Sequence, residues 1–305
     1  MKTLTSQTRP SAEVKHYLEQ IKLPDPNSHK GQNGKLLIVG GSSLFHAASK
    51  WSLDVASKFV DMVFYSSVPQ NNKLIQQAKT NFWNGIVVPR QEVEDYLEEA
   101  DCILIGPGME RLEEKTTSQK PRSSWPRPSQ QEWSNDTQKV VNYLVSSYPN
   151  KKWVIDAGAL QMIDPQLLGQ NCIVTPHQNE LKLLVSKVSK KANLAKEYSL
   201  LELSAQLNNS LILLKGPVDQ IANSQKTIKI KGGNAGMTKG GTGDVLAGLV
   251  AALFCTHDRL SSAVVGSYLN KAAGDLLYQK VGPYFNASDL VEAIPQVAWL
   301  SQTTN

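Results

Sequence analysis

Short apolar runs separated by polar or helix-patterned stretches recur along the first two thirds of the chain. They fall at residues 36–39, 62–65, 86–88, 102–105, 153–155, 172–174 and 211–214. Runs of three or four apolar residues rich in Ile and Val predict strands buried on both faces. Between them, residues 46–60 place Ala47, Trp51, Val55 and Phe59 four apart, on one face of a helix. Residues 136–147, 178–187 and 193–208 also predict helices. This alternation predicts the α/β class, with a mostly parallel central sheet covered by helices on both faces. The last third differs, with three successive helices predicted over 245–255, 261–278 and 288–299. The first two carry enough Ala and Gly for close packing, and Ser288, followed by Asp289 and Glu292, predicts the N-cap of the third.

Two segments break the pattern. Residues 1–28 are polar with three prolines and are expected to be an N-terminal extension to a single domain over 29–305. Residues 110–139 are rich in Ser, Gln, Lys, Arg and Pro, with Trp125 and Trp133 embedded. The expectation there is a long surface insertion, partly disordered, with the tryptophans as candidates for a lid or a partner contact.

Composition narrows the class. At 305 residues, 41% hydrophobic and 19% charged, the chain is long and apolar enough for a full core. A net charge of +5 suits anionic small molecules and argues against nucleic acid. The longest strongly apolar stretch, 245–255, is about half of what a membrane span needs. The first fifteen residues have no apolar core for a signal peptide. Cys102, Cys172 and Cys255 each sit inside an apolar run without metal-like spacing, so buried reduced thiols and a cytoplasmic setting are expected.

The densest chemical signal runs from Gly232 to Asp244, through Asn234, Gly236, Gly240, Gly241, Thr242 and Gly243, and feeds an apolar helix. A glycine-rich turn at a helix N-terminus presents several N–H groups and the positive end of the helix dipole, which suits phosphate. Asp244, at the end of that loop, stands where a carboxylate can take a proton from a hydroxyl beside the phosphate. Neither the P-loop signature nor the dinucleotide fingerprint occurs. Other loops follow predicted strands: Gly40-Gly41-Ser42, Gly106-Pro107-Gly108, Asp156-Ala157-Gly158, Thr175-Pro176-His177 with Glu180 a turn later, and Lys215-Gly216-Pro217. Their shared position predicts one cleft at the C-terminal edge of the sheet.

In that order the segments resemble the ADP- or ATP-dependent NAD(P)H-hydrate dehydratases, the C-terminal half of the YjeF-type repair proteins, which are ribokinase-like. The carriers are His29-Lys30-Gly31 with Gly34, Gly106-Pro107-Gly108, Thr175-Pro176-His177 with Glu180, Leu214-Lys215-Gly216, the run Asn234 to Gly248, and Ala287-Ser288-Asp289-Leu290. The resemblance implies a ribokinase-like fold and the repair of NADH or NADPH hydrated at C6, with ADP or ATP as co-substrate and Mg2+. It implies Asp244 as base, and Lys215, Gly216, Gly240, Gly241, Thr242 and Gly243 around the nucleotide phosphates. Ala47, Gly106, Gly108, Asp156, His177 and Asn234 would lie on the hydrated-cofactor side. Glu180 would meet the metal through water, or serve only as a helix-start acid. The implied partners are small molecules and a separate epimerase, in a homo-oligomer with no nucleic acid or membrane. Three departures fall on the hydrated-cofactor side. Ser43-Leu44-Phe45-His46 replaces a small-residue loop, Gly158 replaces the second acid of an Asp-Ala-Asp-Ala-Leu segment, and the 110–139 stretch follows the Gly106-Pro107-Gly108 loop directly. A ribokinase-like small-molecule kinase and a non-catalytic nucleotide-binding relative therefore stay open as alternatives.

Overall fold

The computed structural model describes residues 9–111, 125–192 and 198–303. In chain order the elements are α1 (Ala12–Leu18), β1 (Lys35–Val39), α2 (Ala47–Ala56), β2 (Met62–Ser67), α3 (Pro69–Ala78), β3 (Ile86–Pro89), α4 (Val93–Glu99), β4 (Cys102–Ile105), α5 (Glu132–Asn135) and α6 (Thr137–Ser147). Then come β5 (Lys152–Ile155), α7 (Ala157–Met162), β6 (Cys172–Val174), α8 (Gln178–Ala192), α9 (Leu200–Gln206), β7 (Leu211–Leu214), β8 (Asp219–Ala222), β9 (Thr227–Ile230), α10 (Thr242–Thr256), α11 (Arg259–Val281) and α12 (Ala287–Thr303).

One nine-stranded sheet runs β3-β2-β1-β4-β5-β6-β7-β8-β9. All seven predicted strands are present and lie parallel. The last two, β8 and β9, are antiparallel and extend the sheet beyond β7. Side-chain alternation divides the core in two. Leu36, Ile38, Cys102, Leu104 and Val154 face α1, α2, α10, α11 and α12. Leu37, Val39, Ile103, Ile105 and Trp153 face α4 to α9. Both faces are therefore covered, which is why the strands read as continuous apolar runs. All three cysteines are free and buried.

The small residues of α10 and α11 permit close approach. A Cβ on Gly248 would stand 2.6 Å from the Ser52 Cα of α2, and one on Gly266 would stand 2.7 Å from Val250 Cγ2. Ser52 Oγ also donates to the Asp244 carbonyl at 2.8 Å, fastening α2 to the first turn of α10.

Three expectations are corrected. Within 1–28, α1 buries Val14, Tyr17 and Leu18 in the α10–α12 core. Of the 110–139 segment, residues 112–124 lie outside the described residues, and the stretch around α5 is not a solvated loop. Trp133 is 1% exposed, meets Tyr143 edge-on at 6.0 Å, and offers its carbonyl to the buried Arg90 at 3.5 Å. Among the described residues no carboxylate pairs with that guanidinium, and burial pushes it down to about 10. Finally, the N-cap of α12 is Asn286, whose Oδ1 accepts from the Ser288 and Asp289 amides, while Ser288 Oγ accepts from Trp51 Nε1 at 3.0 Å. The helix predicted over 193–208 survives as α9, residues 193–197 lying outside the described residues. No helix among the described residues is long and apolar enough to cross a membrane.

Candidate active site

The parallel register aligns the strand ends. Val39 pairs with Ile105, Ile105 with Ile155, and Ile155 with Val174. Gly40, Gly106, Asp156 and Thr175 therefore leave the sheet side by side. A bridge between His177 and Lys215, with the Lys215 amide donating to the Pro176 carbonyl at 2.8 Å, adds the fifth loop. The predicted cleft edge is present.

Glycine sits where backbones touch. Gly106, at φ +123°, would drive a Cβ to 1.9 Å from the Asp156 carbonyl. Gly108, at φ +71°, leaves only 2.8 Å to the Phe45 carbonyl and 3.2 Å to the Ala48 Cβ. These contacts bring the loop after β4 against the start of α2, where Ala47 is exposed. Gly158 has the same character: a Cβ there would meet the Met109 carbonyl oxygen at 2.2 Å. The missing second acid thus matches a loop 106–109 too close for any side chain.

Asp156, 1% exposed, gathers the charge. Its Oδ1 accepts from Lys215 Nζ and from Thr175 Oγ1, each at 2.7 Å. Burial alone would lower the Lys215 ammonium, but Asp156, Glu180 and Asp244 together hold it above its ordinary value. Asp244 stands in the first turn of α10. Burial first, and Asp156 and Glu180 with it, push its carboxyl up to about 7 against the opposing pull of Lys215. A carboxyl poised near neutrality beside a lysine is the electrostatic form of a general base.

His177 caps α8. Its Nδ1 accepts from the Asn179 amide at 3.1 Å, which assigns the ring proton to Nε2 when the imidazole is neutral. Glu180, 4% exposed, returns the cap by accepting from the His177 amide at 2.9 Å, and its other oxygen takes Gln161 Nε2 at 3.1 Å. Glu180 is therefore a helix-start acid in fact, and its charge is felt by both Lys215 and Asp244.

The phosphate loop is wedged rather than floppy. Gly241, at φ +95°, lies on the Trp51 ring, where a Cβ would come within 2.4 Å. The first α10 bond runs from the Val245 amide to the Gly241 carbonyl, so the amides of the preceding turn have no intrahelical partner. Gly240 is open on all sides, and a Cβ on Gly243 would lie 3.6 Å from Lys215 Nζ. Two expected phosphate contacts are otherwise employed. Thr242 Oγ1 donates to the Met237 carbonyl at 2.7 Å, and the Gly216 amide donates to Asp219 Oδ1 at 2.9 Å.

Beside this loop opens a cavity of about 530 Å³, lined by Lys215, Gly216, Thr242 and Gly243 together with the 232–235 turn, Asn270 and Lys271. Asn234, expected on the hydrated-cofactor side, lines this cavity and is tied to Asp275 Oδ1 at 2.9 Å. Asp275, Asn270, Lys271 and Gln161 carried no signal in the sequence, since each is an ordinary polar residue in a helix. Among the described residues no cluster of three or more His, Cys, Asp or Glu is arranged to hold a metal ion.

Comparison with known proteins gives concordant matches. Residues 36–296 match the family described as NAD(P)H-hydrate dehydratase. The chain is 34% identical over 292 residues to the bifunctional NAD(P)H-hydrate repair enzyme Nnr of Methanocaldococcus jannaschii, covering 93% of this chain and 52% of that protein. It thus spans about half the length of that relative. It is 32% identical over 284 residues to the ADP-dependent (S)-NAD(P)H-hydrate dehydratase of Cenarchaeum symbiosum, covering 89% of this chain and 90% of that one. A ribokinase-like superfamily protein from Enterococcus faecalis superposes with a TM-score of 0.75 at 21% identity, covering 99% of this chain and all of that chain. The ADP/ATP-dependent NAD(P)H-hydrate dehydratase of Bacillus subtilis, co-crystallised with ATP and Mg2+, gives 0.66 at 22% identity, covering 93% and 95%. The fold is accordingly ribokinase-like.

Proposed function

The chain belongs to the NAD(P)H-hydrate dehydratase family, and we propose that it restores hydrated NADH or NADPH at the expense of ADP or ATP. The observation that carries this reading is the placement of Asp244. It combines the first turn of α10, a carboxyl raised to about 7, Lys215 close by, and the position next to Gly243, which lines a cavity sized for a nucleotide.

In this reading the nucleotide occupies the cavity, with its terminal phosphate against the loop amides at Gly240, Gly241 and Gly243. Lys215 supplies the cation there. The hydrated ring enters between Ala47, Gly106, Gly108 and His177, whose exposed imidazole offers the Nε2 proton. Asp156 orients Lys215 and does not itself meet the ring. Asp244 takes the proton of the ring hydroxyl as its oxygen bonds to the terminal phosphorus and the nucleotide leaves. The ring nitrogen lone pair then expels inorganic phosphate, a better leaving group than hydroxide, and loss of a proton from the neighbouring ring carbon restores the reduced nicotinamide. Magnesium would supply neutralisation of phosphate charge, entering with the nucleotide; Glu180, whose two oxygens already take the His177 amide and Gln161, would meet it only through water. An epimerase would serve the other epimer.

Incubating the protein with hydrated NADH, magnesium and ADP or ATP tests this. Recovery of reduced-nicotinamide absorbance with equimolar phosphate release is expected, and Asp244→Asn is expected to lower turnover about 10²-fold or more. No recovery with either nucleotide would sink the proposal. Transfer of phosphate to a stable product without release would point to a small-molecule kinase instead.

A further inference from the structure

The cavity lining is mixed in character. Lys215, Lys271 and the backbone around Gly243 supply its cationic and amide-bearing part. Pro217, Ala235, Met237 and Leu246 supply apolar surface, with Asn270 among the lining residues. A nucleotide combines the same two characters, charged at its phosphates and flat and largely apolar at its base.

The polar side chains that line the cavity are spoken for, with one exception. Lys271 Nζ donates to the Gly216 carbonyl at 2.9 Å and to the Gly232 carbonyl at 3.3 Å, and stands 3.3 Å from Asp219 Oδ1. Asp219 Oδ2 takes Ser267 Oγ at 2.7 Å. Asn234 is held by Asp275, Thr238 Oγ1 donates to the Ala235 carbonyl, and Thr242 is held by Met237. Asn270 is 4% exposed, and its Oδ1 has no hydrogen-bond partner. A buried amide oxygen left unpaired is costly, and among the residues that line this cavity Asn270 is the one whose side chain still needs a donor.

Resting on the reading that a nucleotide fills this cavity, we infer that Asn270 selects adenine by pairing its carboxamide with the exocyclic amine and the adjacent five-ring nitrogen of the base. A carboxamide presents one acceptor and one donor side by side, which matches that edge of adenine. Hypoxanthine presents two acceptors on the same edge and leaves the Asn270 oxygen unmatched whichever way the amide is turned. Sites built around a hydrogen bond reject analogues that lack it far better than apolar pockets do.

Calorimetric titration of the full chain with ADP, IDP and pyrophosphate tests this without any turnover. The wild type is expected to bind ADP about tenfold or more tighter than IDP. Asn270→Leu and Asn270→Ala, each checked for an intact thermal transition, are expected to bring the two affinities within about twofold, by loss of ADP affinity, while pyrophosphate binds as in the wild type. A preference for ADP that persists in both variants overturns the inference and leaves the nucleotide reading standing. Failure of the wild type to bind ADP at all overturns the nucleotide reading, and this inference with it.

Discussion

Replacing the proposed base should make the protein more stable while it makes it inactive. Asp244 has an ordinary carboxyl value of 3.8, and burial with two neighbouring carboxylates raises it to about 7 in the folded chain. A group whose folded value exceeds its unfolded value favours the fold while protonated and loses that advantage as pH rises through the folded value. Below about pH 4 both states hold the proton and nothing is lost. Between about pH 4 and 7 the unfolded chain ionises first, and each pH unit costs the fold about 1.4 kcal/mol. The total approaches about 4 kcal/mol above pH 7, an upper figure because side chains and water relax around a buried charge. Asp244→Asn abolishes this ionisation while keeping the shape. Urea unfolding of both proteins at pH 5, 6, 7 and 8 is the assay. The stability of the variant relative to wild type should grow with pH up to about 7 and then level off, by about 2–4 kcal/mol. A difference that does not change with pH, or an Asn variant less stable at pH 8, would refute a buried carboxyl held near neutrality.

Other changes test other parts of the site. Lys215→Met leaves Asp156 buried without its cation and removes the pull that lowers Asp244; the acid limb of the kcat/KM profile should move to higher pH. Gly158→Asp restores the residue type the family uses, yet its Cβ falls 2.2 Å from a backbone oxygen. A loss of about 1–3 kcal/mol in denaturant unfolding is expected, with weaker binding of the hydrated cofactor rather than a gain. Trp133→Ala should cost about 3–5 kcal/mol by the same measurement, as a core residue does and a surface tryptophan does not.

The parallel strands were legible because burial on both faces leaves an unbroken apolar signal. The glycine-rich loop before α10 was legible because few folds need so many glycines before a helix. β8 and β9 were not, since four-residue antiparallel strands such as Thr227–Ile230 carry only two apolar positions each. α1 hid for a related reason: Val14, Tyr17 and Leu18 make a helical stripe, but the polar residues around them dominate the composition. Trp133 was misread because its surroundings are hydrophilic in sequence, while its pocket is built from Tyr143 on the next helix and from Arg90, distant along the chain. The placement of Asn234 depended on Asp275, some forty residues later, and no local pattern could supply that partner.

The helix that presents the phosphate loop is buried along nearly its whole length, from Val245 to Cys255. It packs against α2, α11 and the middle of the sheet at once. Amide hydrogens along such a helix exchange with solvent only when the whole domain opens. The anion-binding end is therefore coupled to global unfolding, and a ligand held there slows exchange throughout the core rather than in one loop. A nucleotide bound at one tip of α10 would register as protection at the other, where the Cys255 side chain packs against Gly34.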